Sequence, residues 1–425
     1  MSQGNYPQLS AGWKTVPLKH AVSINPEVLP DSTHPETLLS YVDIAALENG
    51  VAELAPTEVT FAAAPSRARR VLRGGDTILS TVRTYLKAVA SFPEVEANLI
   101  ASTGFAVLRP NGSLHPRFAY WAALSEPFIE NVVAHSDGVS YPAINPTLLG
   151  NLPVAVPPLT KQECIANFLD DKTARIDALI AEKEELVERL FEYRLSVATS
   201  AITQGLPGAH TEFVVHPFLG SIPKNWRTGK FRHYVQFRSG QVDPEDAQYS
   251  SMPLIAPNHI ESGSGRLLGT ETALEQAAES GKYWCDAGDV IYSKIRPALR
   301  KATIAPFDCL CSADMYPLKG HMGLTNEFLF WYLLSEPFSV FAVQESVRVA
   351  MPKLNRETLA NAAVPLPPYA EQLAIVSYIR EKTASVDSVI EHATEHIARL
   401  REYRSSLISA AVTGQMELGV TEVAA

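Results

Sequence analysis

"WAALSEPF" at residues 121–128 returns as "WYLLSEPF" at residues 331–338, and this recurrence sets the architecture of the chain. A repeated pentapeptide is weak by itself, since ordinary composition yields one in roughly one of every ten to twenty chains of this length. Its neighbours carry the argument. At the same spacing of 210 residues, "SYPAIN" (140–145) parallels "AMPKLN" (350–355), and "VPPLTKQECIANFL" (156–169) parallels "LPPYAEQLAIVSYI" (366–379). "FEYRLSVATSAIT" (191–203) then parallels "REYRSSLISAAVT" (401–413). Upstream the spacing is 213: Trp13 meets Trp226, His20 meets His233, and "GDTILSTVRTYLK" (75–87) meets "GDVIYSKIRPALR" (288–300). The matches are collinear, so the chain is a tandem duplication with a unit of about 200 residues.

Bulk properties agree with two domains. At 425 residues the chain exceeds one ordinary core, and its 46% hydrophobic content is that of a globular protein. No apolar run has the length of a membrane span, and the first residues lack the basic-then-apolar pattern of a secretory leader, so a cytoplasmic location is expected. Cys164, Cys285, Cys309 and Cys311 have no zinc-ligand spacing and read as free thiols. The net charge of −10 argues against non-specific coating of nucleic acid but leaves room for local basic clefts.

Each copy changes character once. The first part holds short apolar runs broken by turn residues, as in mixed α/β folds. After Pro157–Pro158 and Pro367–Pro368, long stretches without Pro or Gly run to Gly205 and Gly414, and read as helices with glycine stops. Thr160 and Glu163 have capping-box spacing at the first; Ala370 and Leu373 stand there in the second. In one heptad frame Ile176, Lys183, Leu190 and Val197 fall at a, and Leu179, Leu186, Tyr193 and Ser200 at d. The second helix places Val386, Ala393, Leu400 and Leu407 at a, and Val389, His396, Tyr403 and Ala410 at d. Ile180, Val187, Ile390 and Ile397 widen the stripe at e.

The expected architecture is therefore α+β: two tandem mixed α/β domains, each followed by a long helix, with the helices pairing as an antiparallel coiled coil of pseudo-two-fold symmetry. The expected boundaries are 1–158 for the first domain, 159–206 for the central helix, 207–368 for the second domain, 369–416 for the C-terminal helix and 417–425 for a flexible tail.

This layout resembles the specificity subunit of type I restriction–modification systems over nearly the full length. The paired helix openings "VAVPPLTKQECIANFL" and "VPLPPYAEQLAIVSYI", and the "EYR…S…A-(I/V)-T" ends at residues 192–203 and 402–413, carry the resemblance. It implies a non-catalytic subunit that reads a split, asymmetric target in double-stranded DNA, one half-site per domain, with the helices setting the gap. It also implies two methyltransferase subunits as partners and restriction/translocase subunits that join them. S-adenosylmethionine, ATP and Mg are expected on those partners and no cofactor on this chain.

Reading DNA requires cations for phosphates and polar side chains for base edges. The first copy offers Arg67, Arg69, Arg70 and Arg73, then Arg83, Tyr85 and Lys87; the second offers Lys294, Arg296, Arg300 and Lys301. Corresponding positions (Arg83 with Arg296, Lys87 with Arg300) favour contact over a merely solvated loop. Ser136 and Ser140, against Gln344 and Arg348, form a second candidate set on a domain-closing loop. Arg238 and Gln241 form a third.

Catalytic readings fail on particular residues. "LPPY" (366–369) puts Leu366 where an amino-methyltransferase needs a side chain that bonds the target amine, and no glycine-rich cofactor loop precedes it. "HATEH" (392–396) lacks the glutamate that directly follows the first histidine in a zinc protease, and no phosphate-binding GxxxxGK[ST] loop is present. The alternative from another class is a scaffold that assembles partners through its helix pair without touching DNA.

Overall fold

The computed structural model of the chain describes residues 12–50, 56–138, 141–346 and 352–418. The chain forms two compact units, Met1–Glu182 with Glu395–Ala425, and Lys183–Thr394. Each unit takes one globular domain, the proximal half of one long helix and the distal half of the other.

In the first unit a four-stranded antiparallel sheet has the order Val22–Ile24, Phe105–Pro110, Asp76–Ser80, Val89–Phe92. A mixed sheet has the order Thr57–Thr60, Leu38–Val42, Leu99–Ser102, Ala68–Val71, and its one parallel pairing joins Leu38–Val42 to Leu99–Ser102. Lys14–Pro17 pairs with Pro153–Val156 and brings the ends of the domain together.

The second unit repeats this plan. Its antiparallel sheet runs Val235–Phe237, Met315–Gly320, Val290–Ser293, Ala302–Ile304. Its mixed sheet runs Glu271–Thr272, Pro253–Ile255, Cys309–Cys311, Lys282–Cys285, with Gln241–Val242 added at the edge. The parallel pairing again joins the two central strands, Pro253–Ile255 and Cys309–Cys311. Arg227–Lys230 with Ala363–Leu366 closes the domain. A parallel pairing needs a crossover, not a local turn, so its recurrence marks a duplicated topology.

The repeated LSEPF is a helix corner in which most letters have a physical task. Pro116–Leu124 and Asn326–Leu334 end there, and Glu126–Ala134 and Glu336–Ser346 begin. Ser125 and Ser335 donate their hydroxyls to Ala122 O (2.7 Å) and Tyr332 O (2.6 Å), reinforcing the backbone N–H bonds that close the ends of those helices on the same carbonyls. Pro127 and Pro337 sit in the next first turn, where a missing N–H costs nothing. Phe128 and Phe338 are buried in the domain cores, as are Trp121 and Trp331.

The long helices cover Leu159–Gln204 and Tyr369–Val412, each roughly 65–70 Å at about 1.5 Å per residue. Gly205 (φ 81°) and Gly414 (φ 74°) follow their ends in the left-handed conformation that a side chain disfavours. The first helix begins at Leu159, so Thr160 lies inside its first turn and does not cap it. Gln162 and Gln372, both fully buried, organise the two helix starts instead. Gln162 donates to Pro157 O (2.7 Å) and Ser113 O (3.0 Å) and accepts from His115 N (2.6 Å). Gln372 donates to Gly323 O (2.7 Å) and Pro367 O (3.0 Å) and accepts from Thr325 N (3.0 Å). One amide thus ties each helix start to the loop that begins the domain's own helical layer.

In the first unit Arg404 donates to Asp177 at 3.2 Å; in the second, Arg194 donates to Asp387 at 2.8 Å. Each Arg is the third letter of an EYR motif, and each aspartate holds the matching position in the other copy. Both units join the start-half of one helix to the end-half of the other, as an antiparallel pair requires.

The seam differs from expectation by one column. Ile176, Val386 and Leu407 are buried, and Leu190, Val197 and Leu400 half-buried, but Leu179, Leu186, Tyr193, Val389, His396 and Tyr403 are exposed. The second buried column is Thr173, Ile180, Arg194 and Ala201 on one helix and Thr383, Ile397 and Ala411 on the other. Three adjacent columns carry apolar residues, and a 3.5-residue period selects two neighbours without saying which two. Polar letters disguise the true column: Thr173 bonds back to Leu169 O (2.6 Å), and Arg194 is buried through its ion pair.

Replacing Gln162 or Gln372 by Leu keeps the volume but strands two carbonyls and an amide. Each change is expected to destabilise its unit by about 2–3 kcal/mol in denaturant titrations, whereas Glu163→Gln, on the exposed face one residue away, changes stability by less than about 0.5 kcal/mol.

Candidate nucleic-acid interface

The strongest candidate begins at the "GD" turns. Gly75 (φ 89°) and Gly288 (φ 88°) supply left-handed turns, and Asp76 and Asp289 behind them are buried. Asp76 accepts from Arg73 N and from Arg109 Nε and Nη2, all at 2.8 Å. Asp289 accepts from Asp286 N (3.0 Å) and pairs with Arg238. The neutralising arginine comes from a different strand position in each copy.

The strand after each GD turn ends in a loop built the same way twice. Arg83 (φ 49°) and Lys87 (φ 52°) flank the one-turn helix Thr84–Leu86; Arg296 (φ 48°) and Arg300 (φ 47°) flank Pro297–Leu299. Left-handed backbone at a residue with a Cβ costs on the order of 1–2 kcal/mol. Four cationic residues carry that cost at matched positions, and such strain persists where surrounding structure enforces it.

The enforcing structure is the domain-closing loop. Arg83 N donates to Pro142 O (2.8 Å) and Ile144 N to Thr81 O (2.9 Å), around a bridge between Val82 and Ala143. In the second copy Arg296 N donates to Pro352 O (3.0 Å) and Leu354 N to Lys294 O (2.8 Å), around a bridge between Ile295 and Lys353. The Arg83 and Arg296 loops and the closing loops at Pro142 and Pro352 are therefore one surface in each unit. Thr84 and Ser136 add a hydroxyl contact at 2.9 Å in the first.

On that surface Arg83 and Arg296 are exposed, and among the described residues neither forms an ion pair. The Arg83 guanidinium stacks 4.8 Å from the Tyr141 ring, which is itself exposed, as is Tyr85. Lys87 stands 3.5 Å from Glu126, and Arg300 pairs with Glu336.

The remaining candidates are already engaged to differing degrees. Arg67 pairs with Asp43, Arg73 with Glu27, and Arg69 lies 3.5 Å from Asp31 and over Phe61. Arg70 is half-buried, and that burial lowers its pKa. Lys294 is buried against Ala313 O and the Tyr316 ring, and burial pushes its pKa down; Lys301 donates to Pro257 O at 2.7 Å. Ser136 donates to Val132 O (2.7 Å) inside the domain. Arg238 is held by Asp286 and Asp289, while Gln241 lies exposed on its edge strand and Gln344 exposed on Glu336–Ser346. Ser140 and Arg348 lie outside the described residues.

Glu126, Glu336 and Tyr141 are members of this surface that reasoning from basic and polar letters misses. The signal for the glutamates is the repeated pentapeptide itself, which places a carboxylate at the same point in both copies. Among the described residues no cluster of His, Cys, Asp or Glu is suited to a metal ion, and no helix is long and apolar enough to cross a membrane.

A family model, the type I restriction modification DNA specificity domain, matches residues 70–189 and again 223–392. The chain is 31% identical over 315 residues to the type I restriction enzyme EcoDI specificity subunit of Escherichia coli, 70% of each chain being covered. It is 23% identical to the MjaVIII specificity subunit of Methanocaldococcus jannaschii over 70% of this chain and 69% of that one. Among solved structures, a chain from a study of complex assembly and conformational transition of the type I R-M system has a TM-score of 0.69 at 24% identity, covering 96% of this chain and 100% of the other. The HsdS subunit from Thermoanaerobacter tengcongensis has a TM-score of 0.51 at 25% identity, covering 98% and 100%.

The strained backbone makes a prediction independent of function. Arg83→Gly and Arg296→Gly are each expected to be more stable than the corresponding Ala variants by about 1 kcal/mol. Paired thermal melts read this, and equal melting of Gly and Ala variants would show that no strain is held at these positions.

Proposed function

The chain belongs to the type I restriction modification DNA specificity family, and on that basis we propose that its two domains read the halves of one bipartite, asymmetric duplex target through the loops at Arg83 and Arg296. The chain is a specificity subunit and carries out no chemistry itself. The observation that carries the interface is the repetition: two cations at matched places on left-handed backbone in each unit, the first of them, Arg83 or Arg296, bonded to the closing loop.

The chemistry follows from charge and accessibility. Arg83 and Arg296 take phosphate oxygens and release counterions, which supplies affinity without sequence information. Tyr85, Tyr141, Gln241 and Gln344, exposed and polar at their tips, are the side chains available to base edges. Ser140 and Arg348 belong to the same proposal by sequence position. Arg67, Arg69 and Arg73 exchange their acidic partners for phosphate, and Arg70, Ser136, Arg238, Lys294 and Lys301 support the loops from within.

The partners we propose are two methyltransferase subunits, which bring S-adenosylmethionine, and restriction/translocase subunits, which bring ATP and Mg. A cytoplasmic location beside the cell's DNA belongs to the same reading. The rigid helices set the gap between half-sites. The scaffold alternative has no comparable support, since a scaffold gives no reason for strained, exposed cations at matched places in both domains.

Methylated adenines mapped in cells carrying the full system should fall in an asymmetric motif of two short half-sites; a compact palindrome would sink the two-domain reading. Removing one turn from each long helix, about 5.4 Å, should change the gap by one or two base pairs and leave both half-sites recognised. If only affinity fell, the helices would not be the ruler. Arg83→Gln or Arg296→Gln should weaken duplex binding regardless of sequence and reduce the salt slope by about 0.9 for each phosphate no longer neutralised.

A further inference from the structure

The LSEPF glutamates are left unexplained by their corner. Glu126 and Glu336 are the first residues of their helices, and their backbone N–H groups are held by Ser409 Oγ (3.2 Å) and Thr199 Oγ1 (3.1 Å) from the long helices. Their main chain is thus anchored while their carboxylates reach out to Lys87 and Arg300. Both carboxylates are about half exposed, at 46% and 53%. Two acidic residues lie on the surface that the proposed function assigns to a polyanion, which is unfavourable for binding and yet is built twice.

We propose that Glu126 and Glu336 are specificity-determining residues that occupy, in the free protein, the cation positions a DNA phosphate takes in the complex. Resting on the interface reading above, this assigns the two loops different cations for different tasks. Arg83 and Arg296, with no ion pair among the described residues, meet any duplex. Lys87, half exposed, and the more sheltered Arg300 each face a glutamate in the free protein, and a phosphate competes with that glutamate for the cation. An exposed ion pair in water is weak, so a well-placed phosphate exchanges with it readily, whereas a poorly placed one does not. At Arg300, Glu336 holds Nη2, the guanidinium nitrogen that a phosphate oxygen takes in its place. The consequence is suppressed binding to random DNA and a larger margin for the true target.

The test is a salt titration of full-length protein on a random-sequence 40-base-pair duplex, read by fluorescence anisotropy. Glu126→Gln with Glu336→Gln should bind about five- to twenty-fold more tightly near 0.15 M salt, with a log–log slope steeper by about one to two, one phosphate per copy. A purely structural role predicts unchanged slope and weaker binding, and either result would overturn the inference. Should the double Gln variant melt early, Glu126→Asp with Glu336→Asp keeps the charge and withdraws it from the cation. That pair should fall between wild type and the Gln result, and a slope equal to wild type counts against the exchange. Arg83→Gln with Arg296→Gln separates the two readings. A shallower slope there without the gain in the Gln pair overturns only the exchange. An unchanged slope there removes the interface and the exchange together.

Discussion

Two buried glutamine side chains, Gln162 and Gln372, fix the geometry around which the other features of this protein are arranged. Each is a fully buried amide in the first turn of a long helix, with its donors on two carbonyls and its acceptor on a loop N–H. A buried amide is tolerated only when its bonds are made, and these bonds are satisfied in one geometry. The direction in which the helix leaves the domain is thereby set by hydrogen bonding together with the buried Ile165, Leu169, Ile375 and Ile379 of its first turns.

The corner and the helix pair build on that direction. LSEPF turns the chain between two short helices and presents a backbone N–H to a hydroxyl of a long helix, so the corner is registered against it. Arg194 with Asp387, and Arg404 with Asp177, add a registered ion pair to each unit, and the buried Arg194 also lies over the Trp331 ring. Removing Asp387 leaves the buried Arg194 charge uncompensated, which makes the register costly to change in that unit. The motifs at the ends of the copies thus have structural tasks: EYR locks the helices, and the Gln after the Pro-Pro stop roots them.

Much of this is legible in the sequence, and for a definite reason. Duplication writes every element twice, so collinear matches at two spacings reveal the two-domain plan, the helix starts after Pro-Pro and the glycine stops without any contact being known. The pairing of Arg83 with Arg296 and Lys87 with Arg300 comes from the same alignment. The seam is half legible. Column a is buried or half-buried, but its partner column hides Thr173, Arg194 and Thr383 behind polar letters, while Leu179, Leu186 and Tyr193 advertise a column that faces solvent. The candidate site is legible as positions and not as roles, because a basic letter does not reveal whether an acid lies opposite it.

The repeat, the alternation of globular domain and helix, the family and the pairs of corresponding positions all follow from the order of residues. Those properties are local or periodic, and one dimension carries them. Which cations are free is a property of the folded chain alone. Arg67 and Arg73 meet Asp43 and Glu27, 24 and 46 residues away; Arg238 meets Asp286; and Lys294 is drawn inward to a carbonyl. Folding also brings Pro142 onto Arg83 and Pro352 onto Arg296, which turns two separate loops into one surface per unit. Electrostatic pairing and backbone strain depend on distances between residues far apart in the chain, and those distances exist only once the chain is folded.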